Sequence, residues 1–223
     1  MKIKGAIFDM DGTIVDSLMF WDYLWERIGR EYMNDSAFRP CDEVNKNVRT
    51  MIYSDAMEYF RNYYKLPVSC DEFFAFASSG VHDFYRNVSK IKGNAEKFLS
   101  YLKGQNIKLC LASATAMPEI KLALEHHRMA EYFDIILSCV DIGVGKDKPD
   151  IYLKAKDLMG IPAEDICVFE DSYVALETAK NAGFKTVGIF DRYNFEQTRL
   201  KAASDIYLPE GQTLDGLIEK ICR

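Results

Sequence analysis

The hydrophobic pattern divides the chain into stretches with different periods. A mostly apolar run at 3–8 opens it, with the length of a buried strand. From 17 to 90 the apolar positions recur at helical spacing, as in Leu18, Trp21, Leu24, Trp25 and Ile28, and again in Met51, Met57, Phe60 and Tyr64. Pro40 and Pro67 punctuate this stretch, and Ser69-Cys70-Asp71-Glu72 reads as a helix start before 73–84. A bundle of about four helices is predicted. More than half of the chain's aromatic residues fall in it, and their first expected role is core packing. From Gly93 onward, helix and strand patterns alternate. Amphipathic segments at 94–103, 118–127, 149–159, 173–181 and 214–221 predict helices. Short apolar runs at 107–112, 133–137, 166–169, 186–189 and 206–208 predict strands.

Strands alternating with helices of this length imply a parallel sheet covered on both faces. The fold class expected is therefore α/β. It has a doubly wound, Rossmann-like parallel-sheet core made of residues 1–16 and 91–223, and an inserted α-helical cap domain at 17–90. Because the insertion follows the first strand, it should hang over the carboxyl edge of the sheet. Two short linkers, near 16–17 and 90–93, would allow hinge closure.

Composition narrows the function classes. A hydrophobic content of 48% with 28% charged residues is ordinary for a globular protein. The net charge of -6 argues against a partner that is a nucleic-acid polymer. No apolar run reaches the roughly 20 residues needed to span a bilayer, so no membrane partner is expected. Asp9 and Asp11 interrupt the N-terminal apolar stretch, so no secretory leader is expected. The six cysteines form no Cys-x-x-Cys pair. Cys110, Cys139 and Cys167 lie in apolar runs and read as buried thiols, consistent with a cytoplasmic protein.

Candidate chemistry falls at strand ends, where open parallel sheets bind their ligands. Asp9-Met10-Asp11-Gly12-Thr13 follows the first strand directly. Two carboxylates at the end of a core strand raise each other's cost of ionisation and call for a cation or a proton. Gly12 permits a sharp turn there, which Thr13 and Asp16 could brace. The competing reading is an Asp/Gly turn alone. Strand 107–112 ends in Ser113-Ala114-Thr115 before a helix, which could be an anion site or an ordinary cap. The loop Gly143-Val144-Gly145-Lys146-Asp147-Lys148-Pro149-Asp150 offers two lysines to an anion. Strand 166–169 ends in Glu170-Asp171, a second carboxylate pair, with helix capping as the alternative. Four acidic groups from two strand ends would form a hard oxygen site that suits Mg2+.

In order and spacing, Asp9-Met10-Asp11-Gly12-Thr13, Ser113, Lys146 and Glu170-Asp171 resemble the four motifs of the haloacid dehalogenase-like hydrolase superfamily. The match is to its phosphatase and β-phosphoglucomutase-like branch, which carries an α-helical cap. Val168-Phe169-Glu170-Asp171-Ser172, with 179–183, is close to that branch's fourth motif. The resemblance covers the core, and in the cap it extends only to position and helical character. It implies a Mg2+-dependent phosphatase acting on a small phosphorylated metabolite. Asp9 would be the nucleophile that forms an aspartyl-phosphate, and Asp11 the general acid and base. Asp9, Asp11 through its backbone carbonyl, Glu170 and Asp171 would hold the metal. Thr13, Ser113, Ala114 and Lys146 would bind substrate, with Lys146 also serving catalysis.

The family usually reads Gly-Lys-Pro-x-Pro-Asp around its lysine, whereas Asp147 stands here in place of the first proline. Registering Pro149-Asp150 on the second Pro-Asp selects Lys146 over Lys148. Members that cleave carbon–halogen bonds lack the second aspartate of the first motif, so Asp11 points to P–O chemistry. A phosphomutase is the alternative, weakened because residues 18–21 lack the cap histidine usual in those mutases. A non-catalytic phosphate-binding protein would be favoured by a lost motif residue, and every motif residue is present. Trp21, Trp25, Arg49 and His82 are conceivable cap contacts, with core or surface roles favoured. The sequence leaves the oligomeric state open.

Overall fold

The structure, a computed structural model, describes residues 1–48, 51 and 53–221. The chain separates into two compact units, one of Met1–Leu18 with Ser89–Arg223 and one of Met19–Val88. Arg49 and Cys222 lie outside the described residues.

The larger unit is built on β1 (Gly5–Phe8), a fully buried strand. A two-residue strand β2 (Val15–Asp16) follows its turn. The smaller unit then holds α1 (Phe20–Ile28), which runs on as a short π-helical turn, followed by α2 (Asp42–Val48), α3 (Tyr53–Tyr64) and α4 (Cys70–Asn87). The helix-start signal before α4 is a complete capping box: Ser69 accepts from the Glu72 backbone N–H, and the Glu72 carboxylate accepts from that of Ser69. The aromatic stripes pack as core. Trp25 stacks on Phe60 at 4.9 Å, and Phe60 lies 6.0 Å from Phe73. Trp25 is buried there, while the His82 ring bonds the Ser78 carbonyl within its own helix.

The chain re-enters the larger unit through β3 (Lys90–Ile91), which pairs antiparallel with β2. This ribbon carries no sequence signal, because two residues show no period. There follow α5 (Ala95–Gly104), β4 (Lys108–Ser113), α6 (Met117–His126) and β5 (Ile135–Ser138). A one-turn helix α7 (Cys139–Ile142) precedes α8 (Asp150–Met159), β6 (Ile166–Glu170) and α9 (Tyr173–Asn181). Last come β7 (Lys185–Ile189), α10 (Gln197–Ala203), β8 (Ile206–Leu208) and a 3-10 turn running into α11 (Ile218–Ile221). The pattern-based reading missed α7 and α10, which are too short to show a helical period.

The main sheet is parallel throughout, in the order β5-β4-β1-β6-β7-β8. The order reverses between β1 and β6, the place where doubly wound sheets open a crevice at their carboxyl ends. Register sets what arrives there. Phe8 pairs with Phe169, and the rings stack at 4.3 Å. Ile7 and Val168 face the opposite side, in a cluster with Tyr152, Ala155 and Met159 of α8. Alternation along each strand then carries Asp9 and Glu170 to the α8 side. Cys110, Cys139 and Cys167 are buried. Among the described residues, no helix is long and apolar enough to cross a membrane.

Candidate active site

Asp9, Glu170 and Asp171 converge just beyond β1 and β6. Each offers a carboxylate oxygen within 4.8 Å of the others, and all three residues are buried. The Asp9 N–H donates to the Phe169 carbonyl at 3.0 Å, which continues the sheet register into the site. Three buried carboxylates demand compensation. Part of it is Lys146, delivered by the loop between α7 and α8, whose ammonium bonds both Asp9 and Glu170. Lys148 is exposed. Tyr152 donates to Glu170 Oε1 at 3.2 Å, and the Ser172 N–H donates to Glu170 Oε2 at 3.3 Å.

One ammonium is not enough for this cluster. Burial lifts the Asp9 carboxyl well above the usual carboxylate range; Lys146 opposes the lift, and Glu170, Asp171 and Asp11 add to it. Burial, reinforced by Glu170, lifts Asp171 to about 7. Burial works against the Lys146 charge, but Asp9 and Glu170 outweigh it and hold its pKa well above the ordinary lysine value. Such a set is short of positive charge. Its all-oxygen, closely grouped donors fit a hard divalent cation.

The Asp11 side chain lies in a different setting. Its Oδ1 accepts from Ser17 at 2.6 Å, and its Oδ2 accepts from Thr115 at 2.7 Å and Ser113 at 3.4 Å. Ser113 in turn accepts from the Thr115 N–H at 3.0 Å, and the neighbouring Ala114 is exposed at the end of β4. A carboxyl gripped by hydroxyls, which can donate or accept, can hold a proton or release it without moving.

The turn between the two aspartates is closed by its backbone: the Val15 N–H donates to Met10 O at 2.9 Å, and the Gly12 N–H to Val15 O at 2.8 Å. Gly12 has φ +82, and a Cβ there would sit 2.6 Å from Asp171 Oδ2. Thr13, expected to bind substrate, turns its hydroxyl to Asp171 Oδ1 at 3.3 Å.

Residues 3–183 match the family model for haloacid dehalogenase-like hydrolases. The chain belongs to this family. Among curated relatives of the hydrolase is a Drosophila melanogaster protein named "Probable pseudouridine-5'-phosphatase", 28% identical over 88% of this chain and 86% of its own. A "Phosphorylated carbohydrates phosphatase" of Thermotoga maritima is 22% identical over 97% of this chain and 99% of its own. "Beta-phosphoglucomutase" of Bacillus subtilis is 25% identical over 84% of this chain and 83% of its own. A solved Thermotoga maritima structure shares the fold, with a TM-score of 0.82 at 23% identity, covering 98% of this chain and 99% of that one.

Several groups around the hydrolase's site escaped sequence reasoning. Ser17 and Thr115 grip Asp11, and Tyr152 touches Glu170. Asn194 donates its side-chain amide to the Asp171 carbonyl. The Lys92 ammonium bonds the Gly12 carbonyl. A hydroxyl in the stretch 113–115 was visible as a candidate. Ser17 lies six residues beyond Asp11, and Tyr152, Asn194 and Lys92 come from further along the chain, with no motif to mark them.

Proposed function

We propose that the hydrolase is a magnesium-dependent phosphatase that cleaves a small phosphorylated metabolite through an aspartyl-phosphate on Asp9. The observation that carries this reading is the buried Asp9, Glu170 and Asp171 cluster with the Lys146 ammonium set against it. The residues fit a divalent cation. Asp9, Glu170, Asp171 and the Asp11 backbone carbonyl would hold Mg2+, which when bound would screen the two anions that must meet and stabilise charge on the transferring group.

This chain's residues supply the rest. An Asp9 carboxylate oxygen attacks phosphorus, and the bond from phosphorus to the leaving oxygen breaks. Asp11 gives that oxygen its proton, so an alcohol departs. Water then attacks the same phosphorus, Asp11 takes the water's proton, and the bond to Asp9 breaks to release inorganic phosphate. Lys146 neutralises charge on Asp9 and the phosphoryl group. Ser113 and the Ala114 backbone N–H would hold phosphate oxygens. The relatives named as phosphatases support this reading. The buried thiols support a reducing, cytoplasmic setting.

A phosphomutase is the second reading, favoured by the Bacillus subtilis relative. The test is phosphate release from a panel of phosphorylated metabolites, with and without Mg2+, beside Asp9→Asn. Magnesium-dependent release that falls on the order of 10⁴-fold or more in the variant is expected. Near-normal turnover by Asp9→Asn would refute the nucleophile. Isomerisation of a sugar phosphate without net release would favour the mutase.

A further inference from the structure

We propose that Lys92 is a positioning residue for the phosphoryl-transfer site, an inference that rests on the reading just given. Its ammonium donates to three acceptors at once: the Gly12 carbonyl, the Phe190 carbonyl at 2.8 Å and Asp191 Oδ2 at 2.7 Å. The Lys92 side chain is 18% exposed and that of Asp191 2%. The Lys92 backbone N–H donates to the Ile14 carbonyl at 2.9 Å. Backbone and side chain therefore both grip the turn that follows the nucleophile strand. The β2–β3 ribbon sets Lys92 in place, since it pairs Asp16 with Lys90 and Val15 with Ile91.

The contacts close a ring around Asp171. Gly12 packs so tightly on the Asp171 carboxylate that no Cβ fits between them. On the other side, Asn194 donates to the Asp171 carbonyl. Asn194 is held by Asp191, whose carbonyl accepts from the Asn194 N–H at 3.1 Å and whose Oδ1 accepts from the Tyr193 N–H at 2.9 Å. Asp191 returns to Lys92, and Lys92 to Gly12. Removing the ammonium would leave two carbonyls and a buried carboxylate converging on one point with no donor. The turn and the 190–194 loop would then separate.

Stability alone does not account for the arrangement. A buried ion pair is often matched or bettered by apolar residues of the same volume. What apolar residues cannot do is direct three donors from a single atom, which an ammonium does. The electrostatic influence on Asp171 is divided, because Lys92 favours its charged form and Asp191 opposes it. Lys92 therefore acts by geometry, as groups behind metal ligands commonly do.

The test uses the full chain with Lys92→Met and the milder Asp191→Asn. Mn2+ affinity is titrated without substrate by electron paramagnetic resonance. Then kcat and KM are measured with p-nitrophenyl phosphate and Mg2+, per folded molecule. Lys92→Met should weaken Mn2+ binding and lower kcat by about 10–100-fold each, with KM nearly unchanged. Asp191→Asn should move both in the same direction by less, and Lys92→Arg should recover part of the loss. Mn2+ affinity and kcat within about twofold of wild type in both variants, or an effect confined to KM, would overturn the proposal. Should Lys92→Met fail to fold, Asp191→Asn decides by the same criteria. Should the wild type release no phosphate, the Mn2+ titration still decides the role of Lys92, and it is the phosphatase reading that fails.

Discussion

Two lysines reach the same sheet edge and do opposite kinds of work. The Lys146 side chain is 10% exposed and bonds two carboxylates, Asp9 and Glu170. The Lys92 side chain is 18% exposed and bonds one carboxylate and two peptide carbonyls. The first is surrounded by charge that a cation and a phosphoryl group would redistribute. The second is surrounded by acceptors whose charge no step of the reaction changes. A lysine whose partners change charge can take part in chemistry, whereas one with fixed partners can only hold shape. The difference lies in the partners, because both lysines sit in loops.

Removing Lys146 should sharpen the contrast most. In Lys146→Met, Asp9 and Glu170 face each other without a countercharge, and the transferring phosphoryl group loses its fixed cation. The expected loss in kcat is on the order of 10²–10³, the range found when a single preorganised donor to a transition state is removed. Steady-state kinetics at saturating Mg2+, with the folded fraction checked by circular dichroism, measure it. A smaller loss than in Lys92→Met would reverse the assignment of the two lysines.

The contrast was only half legible in the sequence, for a physical reason. Lys146 directly follows Gly145, three residues before the helix-opening Pro149, and the four motifs share one order along one sheet edge. The α/β fold was equally readable, since each strand of the main sheet shows as a short apolar run and most core helices carry their own period. Lys92 carries no local mark. Its partners Gly12 and Asp191 lie 80 and 99 residues away, and only the fold brings them together. Of the hydroxyls on Asp11, Ser17 was hidden, since it enters through a two-residue strand, while Ser113 and Thr115 stood in a stretch readable as an anion site or a cap. Thr13, read as a substrate contact, donates its hydroxyl to Asp171 Oδ1, a partner that no local pattern indicates.

Protons and metal give the next largest expected effect. Burial and Glu170 lift Asp171 from 3.8 to about 7, and Asp9 moves in the same direction. Between about pH 4 and 7 the metal-free folded state thus binds more protons at these sites than the unfolded chain, so they lower stability as pH rises through that window. A divalent cation needs the ionised carboxylates and must displace those protons. The rise in Tm on saturation with Mg2+ should therefore be larger at about pH 8 than at about pH 5.5. Asp171→Asn should remove most of the difference, and Lys92→Arg, which keeps the charge, should leave its sign intact. Equal Mg2+-induced shifts at both pH values would mean that the cluster is already ionised without metal.

The smallest effect is the most discriminating for the loop register. Lys148 lies two residues beyond Lys146 and just before Pro149, and it is exposed. It competes with Lys146 on paper, because Asp147 interrupts the proline pattern that usually fixes the lysine's place. Solvent screens a charge in such a position, so Lys148→Ala should change kcat and Tm by less than about twofold and about 2 °C. The same assay and melting curve check it beside Lys146→Met. If Lys148→Ala were the more damaging of the two, the loop would have to shift by two residues to bring Lys148 to Asp9. That shift would withdraw Lys146 from Glu170 and leave the buried cluster without its only bonded lysine among the described residues.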